Sequence, residues 1–373
     1  MSIKEDIVLH IGAPKCGSSS LQATLSQQPD FQSRTGQRFS YVAAHHRGGL
    51  IAGDDITKDA RKSVFGYTSS PDASPNQPNP WMEQMPGHLR KIVEDGRTPI
   101  LSAEGWINRA KQFAEARFLE KENLSAHAVV FVRPPVEWLN SAWWQWGVWS
   151  DVTLDRFVRA NIESARWNAL AHVWSQVPGV ERVSVRLASS DAVSSFYDIL
   201  DAEPPALANS NSGIPTSLLY FMTRNREFRE NAHTPQVEFI AARQLNWKEP
   251  TPWVLREDLV AYALHHLYPA NRNLMGRMSP ADRTAVDKDP KWWDYEYYKA
   301  RTLVDPDTYN QPPALQDLAK AMIDRLQSCD CALPAELIAE VEGWSKGVDV
   351  TCADKSIADL LRRLCKLDQA QRG

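Results

Sequence analysis

The chain reads as an α/β protein, a central parallel sheet flanked by helices and followed by a mostly helical C-terminal part. Three observations predict this. Short apolar runs rich in β-branched residues recur around Ile7–Ile11, Arg97–Gly105, Ala126–Arg133 and Val180–Leu187, each with Gly or Pro near one end, as buried strands have. Stretches with helical spacing separate them, and such alternation favours parallel pairing. Beyond about residue 215 the pattern is almost wholly helical. The turn-rich link Asn209-Ser-Asn-Ser-Gly-Ile-Pro215 therefore suggests a core over 1–212 and a helical extension over 213–373.

Composition narrows the function classes. A chain of 373 residues can bury a large core, and 43% hydrophobic with 24% charged residues is ordinary for a globular protein. The net charge of -4 gives no global basic field, so nucleic acid is not expected as a partner and any anion must be met by local charge. The first residues run straight into a strand without a secretory signal pattern, and no apolar run is long enough to span a bilayer; the expectation is a cytoplasmic protein. Five cysteines are scattered, Cys329-Asp-Cys331 lacks zinc-ligand spacing, and free thiols without metal are expected.

Taken in order, the first strand ends at Gly12-Ala-Pro-Lys-Cys-Gly-Ser-Ser-Ser20 and passes into a helix carrying Leu21 and Leu25. A strand, a loop of small residues and a helix N-terminus form a phosphate-binding architecture: first-turn N–H groups lack intrahelical acceptors and the helix dipole favours an anion. Lys15 precedes Gly17, whereas a nucleoside-triphosphatase loop needs its lysine after the second glycine, followed by Ser or Thr for magnesium. Arg38–Ala44 is a short extended segment ending at His45-His46-Arg47-Gly48-Gly49, where the two histidines either line an acceptor pocket or stand in a solvated loop. Ser69–Pro80 carries four prolines and is a loop, lid or insertion, followed by a helix over Trp81–Asp95. The next strand delivers Glu104 at its C-terminal end, the edge where open α/β sheets bind ligands; there it is either a base or a capping and ion-pairing residue. Trp106 follows directly.

The clearest strand, Ala126–Arg133, ends in Arg133 and is followed by Pro134-Pro135 and a helix with Ser141 and the cluster Trp138, Trp143, Trp144, Trp146 and Trp149, in a chain holding 14 Trp. Such rings either present faces to sugars and apolar acceptors or pack into the core. Thr153–Gln176 has helical spacing, and Arg224, Arg226 and Arg229 recur along one predicted helix over Thr216–Asn231. Further helices are expected over Pro235–Leu245, Val254–Leu267, Leu315–Ser328, Pro334–Gly343 and Ser356–Leu367.

Two motifs carry a resemblance. Pro14-Lys15-Cys16-Gly17-Ser18-Ser19-Ser20 resembles the 5′-phosphosulfate loop of sulfotransferases that use 3′-phosphoadenosine-5′-phosphosulfate (PAPS). Arg133-Pro-Pro-Val-Glu-Trp-Leu-Asn-Ser141 is similar to their 3′-phosphate motif. The two stand in the family's order, and the likeness covers about residues 5–215. It implies a P-loop-containing nucleotide-binding fold of the bacterial or carbohydrate-type branch. It also implies PAPS as donor, with Lys15, Cys16, Gly17, Ser18, Ser19, Ser20, Arg133 and Ser141 as binding residues, adenosine 3′,5′-bisphosphate as product, and no metal. Many carbohydrate-type members place a glutamate where Ser102-Ala-Glu104 stands, which makes Glu104 the base beside Lys15; the aryl and steroid branch uses histidine, which keeps His45 and His46 open. His45, His46, Trp106 and Trp144 are the candidate acceptor residues. The acceptor expected is a hydroxyl or amine of a glycan or glycolipid, with a lipid or small metabolite as alternative. The rivals of other classes are a P-loop kinase and a non-catalytic glycan-binding protein.

Overall fold

The computed structural model describes residues 3–188, 191–206, 214–247 and 249–372. Among them stands a mostly parallel seven-stranded sheet. Its strands are β1 (Ile7–Gly12), β2 (Asp30–Gln32), β3 (Arg38–Ala44), β4 (Leu50–Ala52), β5 (Thr98–Glu104), β6 (Ala126–Val132) and β7 (Val180–Leu187). They lie in the order β2-β3-β5-β1-β6-β7, with β4 paired to β3. β3, β5, β1, β6 and β7 run parallel, while β2 and β4 pair antiparallel to β3.

Every residue of β1 and β6 is buried, as expected of strands covered on both faces. The helices met along this part of the chain are α1 (Ser18–Gln27), α2 (Asp54–Lys62), α3 (Trp81–Glu94), α4 (Ala110–Glu115), α5 (Pro135–Gln145), α6 (Leu154–Asn161), α7 (Trp167–Trp174) and α8 (Ala192–Ile199). α1 buries Leu21 and Leu25 completely, each contributing about 1.5–3 kcal/mol. Its polar side is stitched in as well: Gln22 Nε2 donates to Ser102 Oγ at 3.0 Å, and the same hydroxyl meets His10 Nδ1 at 2.7 Å. His10 is buried beneath the first loop among Phe131 and Phe196, and burial lowers its pKa to about 3.

The chain divides into two compact units, and both are discontinuous. The first holds Met1–Leu139, Ala160–Asn209 and Val260–Tyr298; the second holds Asn140–Arg159, Ser210–Leu259 and Lys299–Gly373. This differs from a single cut between 212 and 213, a link most of which lies outside the described residues. Residues 260–298 join the first unit for a packing reason that no linker composition announces. Met278 bridges Val185 of the edge strand β7, Arg186 pairs with Asp282 at 2.8 Å, and Arg277 Nη2 meets His172 Nδ1 at 3.0 Å.

The second unit is helical. Its core joins Trp144, Trp149, Leu218, Phe221 and Met222 to Leu318, Met322, Leu360 and Leu361. The helices there include Thr216–Arg224, Gln236–Leu245, Pro312–Gln327, Ala335–Gly343 and Val350–Arg372. Two expectations are corrected. The continuous helix over Thr153–Gln176 is broken into α6 and α7 by a short 3-10 turn at Glu163–Ala165, and α7 starts at Trp167. Arg224, Arg226 and Arg229 do not share one helix, which ends at Arg224; Arg229 is buried against Glu238, with its guanidinium 4.3 Å from the Trp149 ring centroid. Among the described residues no helix is long and apolar enough to cross a membrane.

Candidate functional site

The topology selects one place on the sheet. From β1 the chain moves outward past β5 to β3, whereas from β6 it moves the other way to β7. Open α/β sheets bind ligands in the crevice outside the carboxyl ends of two such neighbours. β1 and β6 are adjacent and parallel, so the loop 13–17 and the segment opening at Arg133 leave the same edge side by side. They touch: Arg133 Nη1 donates to the Lys15 carbonyl oxygen at 3.3 Å across 118 positions of chain.

Local chemistry explains the loop's shape. Gly12 ends β1 where a Cβ would stand 2.7 Å from Ser18 Oγ and 2.9 Å from the Ala103 carbonyl, so only glycine lets the loop turn there. Gly105 N–H donates to the Gly12 carbonyl at 2.8 Å, tying the end of β5 to the same place. Lys15 (φ 59) and Gly17 (φ 90) both take left-handed backbone, and Gly17 is the N-cap of α1. No side chain caps this helix and no acidic residue occupies its first turn, so its positive end faces the loop uncompensated by its own residues.

Charge gathers around that end. The Cys16 thiol is buried and pushed up to about 12, mainly by burial, while Arg133 and Lys15 act to lower it and Glu104 to raise it. Lys15, Arg133 and Glu104 thus all act on one buried atom. Lys15 is exposed and Arg133 half-buried, 3.8 Å from Glu137 one turn along α5. Glu104 is reached by solvent yet closely surrounded by protein. That crowding raises its pKa, against the opposing pull of the Lys15 ammonium. Ser18 is buried, Ser19 and Ser20 are half-buried.

Indole N–H groups hold the loops of this edge. Trp138 donates to the Pro14 carbonyl at 2.9 Å and Trp167 to that of Arg133 at 2.9 Å, the two rings meeting edge to face at 5.4 Å. Trp106 donates to the Pro71 carbonyl at 3.0 Å, and Trp174 to those of Trp106 and Ile107. Trp106 is fully buried and stacked on Trp81 at 5.6 Å, which leaves no open ring face and removes it as an acceptor platform. Trp144 is 5% exposed and belongs to the core of the second unit, its N–H on the Pro252 carbonyl; it too offers no platform. Of the tryptophan cluster, Trp138 pegs a loop, and Trp144 and Trp149 pack in the core of the second unit.

The remaining expected residues fall in different places. His45 and His46 are exposed in the turn between β3 and β4, one strand farther out than Glu104, with Arg47 N–H on His45 Nδ1 at 3.3 Å. Ser141 lies farther along α5, buried, in the second unit. Ser69–Pro80 has no regular structure, as expected, but it is anchored: Ser70 N–H donates to the Ser102 carbonyl at 3.0 Å and Asp72 takes two bonds from Arg109.

Sequence reasoning misses Tyr67. Burial pushes its phenol up to about 12, with Ser19 acting to lower it and Glu104 to raise it. Standing alone between a helix and a proline-rich loop, it belongs to no periodic pattern that could have singled it out. Among the described residues no group of three or more His, Cys, Asp or Glu side chains is placed to hold a metal ion. Compared with known protein families, characterised proteins and solved structures, the chain matches none.

Proposed function

We propose that the first unit is a P-loop-type nucleotide-binding unit that binds PAPS and transfers its sulfuryl group to a hydroxyl or amine of an acceptor, a carbohydrate being the class favoured. The observation that carries this reading is the contact between Arg133 and the Lys15 loop, with Glu104 in electrostatic reach of Lys15. Two motifs far apart in sequence, each resembling one half of a PAPS site, meet at one sheet edge.

The residues then have separate tasks. Lys15 and the N–H groups at the start of α1 would receive the 5′-phosphate and the charge that builds on its bridging oxygen as the S–O bond breaks. Arg133 would hold the 3′-phosphate, a bidentate-capable cation suited to that group. Glu104 would take the proton from the acceptor oxygen as that oxygen bonds to sulfur, a contribution commonly about 10² to 10⁴ in rate. Positioning and charge do the rest, as in phosphoryl transfer. Lys15, Arg133 and the helix end meet the donor's charge, so the reading calls for no metal ion.

Calorimetric titration with adenosine 3′,5′-bisphosphate tests it. The wild type should bind, Lys15→Ala and Arg133→Ala should each weaken binding at least about tenfold, the loss of one charge-assisted contact or more. Binding of ATP with magnesium but not of the bisphosphate would replace this reading with a kinase.

A further inference from the structure

The two cations of the site are mounted alike. Lys15 follows the Pro14–Lys15 peptide, whose carbonyl takes the Trp138 indole N–H at 2.9 Å. Arg133 opens the Arg133–Pro134 peptide, whose carbonyl takes the Trp167 indole N–H at 2.9 Å. That second peptide has no N–H of its own, so its carbonyl is the group through which a donor can fix the plane. Both indoles are 2% exposed, and their rings meet edge to face at 5.4 Å with planes 86° apart. One buried aromatic pair therefore fixes the backbone under both cations. At φ 59 Lys15 has left-handed backbone, which a residue with a side chain keeps only where its surroundings impose it. Those surroundings belong to the other motif: Trp138 holds the peptide plane before the Lys15 Cα, and Arg133 Nη1 donates to the carbonyl of the plane after it at 3.3 Å. Trp138 stands in the first turn of α5 with its backbone N–H on the Pro134 carbonyl at 2.9 Å, so its place is tied to the Arg133 segment.

We propose that Trp138 and Trp167 are positioning residues that act as one gauge: they set the separation of the Lys15 and Arg133 anion sites, and so select a ligand whose two phosphates stand at the adenosine 3′,5′ spacing. This rests on the reading of the site given above. A ligand with two anionic groups binds at full strength only if their spacing matches that of the two cations; one with its second phosphate elsewhere satisfies one end at the expense of the other. Lysine and arginine side chains are long and flexible, and the backbone beneath them decides how far they must stretch to a misplaced phosphate. Phenylalanine keeps a ring at either indole position but has no N–H to donate, so it leaves the carbonyl, and the peptide plane that carries the cation, free to turn.

The test is a calorimetric comparison of adenosine 3′,5′-bisphosphate with adenosine 2′,5′-bisphosphate on wild type, Trp138→Phe, Trp167→Phe and the double variant. The two ligands share their charge and their 5′-phosphate and differ only in where the second phosphate stands. Wild type should prefer the 3′,5′ isomer at least about tenfold, the size of one well-placed charge-assisted contact. Each single variant should cut that preference about three- to tenfold, the size of one neutral hydrogen bond. The double variant should cut it no further than the larger single effect, since either loss releases the same gauge. A merely structural role would weaken both isomers alike and leave their ratio where it was. An unchanged ratio in a folded single variant therefore overturns the gauge, and Trp167→Phe decides if Trp138→Phe does not fold. Additive effects overturn the shared gauge in favour of two separate pegs. A wild type that binds both isomers equally overturns the gauge alone; one that binds neither overturns the PAPS reading, and the gauge with it.

Discussion

Gly17→Ala puts the conformation of the loop to a quantitative test. Gly17 sits at φ 90, where an alanine costs about 1–2 kcal/mol, and its new Cβ would stand 2.8 Å from the Ala192 Cβ on α8. Carbon pairs prefer about 3.5–4.0 Å, and forcing a methyl into a packed contact adds about 1–2 kcal/mol. The sum, about 2–4 kcal/mol, falls on the junction of β1, α1 and α8. Native-state hydrogen exchange of the β1 amides should therefore quicken roughly 30- to 1,000-fold, since each 1.4 kcal/mol is tenfold. The two parts can be separated. Ala192→Gly alone removes a methyl from the first turn of α8 and costs at most about 1 kcal/mol. In the Gly17→Ala background it should instead recover about 1–2 kcal/mol, leaving only the backbone part. If the double variant is as damaged as the two single losses added together, the close approach of α8 to the loop is not what requires glycine here, and the reasoning fails.

Two further outcomes follow from the displaced titration of Glu104 and of His10. Glu104→Gln should retain bisphosphate affinity and lose about 10² to 10⁴ of sulfate transfer from labelled PAPS across an acceptor panel; because the Glu104 pKa is raised, wild-type transfer should climb with pH through a limb displaced above the ordinary carboxylate range, and a variant within about threefold of wild type would remove Glu104 as base. His10 is neutral in the folded protein down to about pH 3 but takes a proton near 6.5 when unfolded, so its contribution is complete above pH 6.5 and lost as the pH falls toward 3, about 2 kcal/mol by pH 5. His10→Gln, which keeps a partner for Ser102, should flatten the dependence of β1 exchange on pH between 6.5 and 5; an unchanged slope would assign the acid sensitivity to other groups.

Much of the sheet is legible in the chain because its central strands are buried on both faces. Ile7–Gly12, Thr98–Glu104 and Ala126–Val132 are largely apolar runs with Gly or Pro in or beside them, and the helices beside them keep helical spacing. The edge pieces are not. β2 and β4 have three residues each, too short for any periodicity, and exist because β3 offers them a partner. The break between α6 and α7 is hidden for a related reason, since apolar spacing persists across a turn when both flanking helices face the same interior. Of the candidate site, Lys15, Glu104 and Arg133 can be read because each ends or follows a recognisable strand. Tyr67 cannot, since an electrostatic effect between residues distant in the chain leaves no trace in local pattern. Trp106 and Trp144 show the converse error: a ring's chemistry is visible in sequence, but whether its faces are open is decided by burial.

The indole pegs have a consequence for how this edge can vary. Trp138, Trp167, Trp106 and Trp174 each fasten a loop by its carbonyl rather than by its side chains, so the fastening is indifferent to which residues the loop carries between the fixed points. Phenylalanine could fill the same volume but has no N–H to give, so replacing a peg frees a whole loop while replacing a loop residue changes only local chemistry. Side chains at this rim can therefore be exchanged one at a time over a scaffold that stays put.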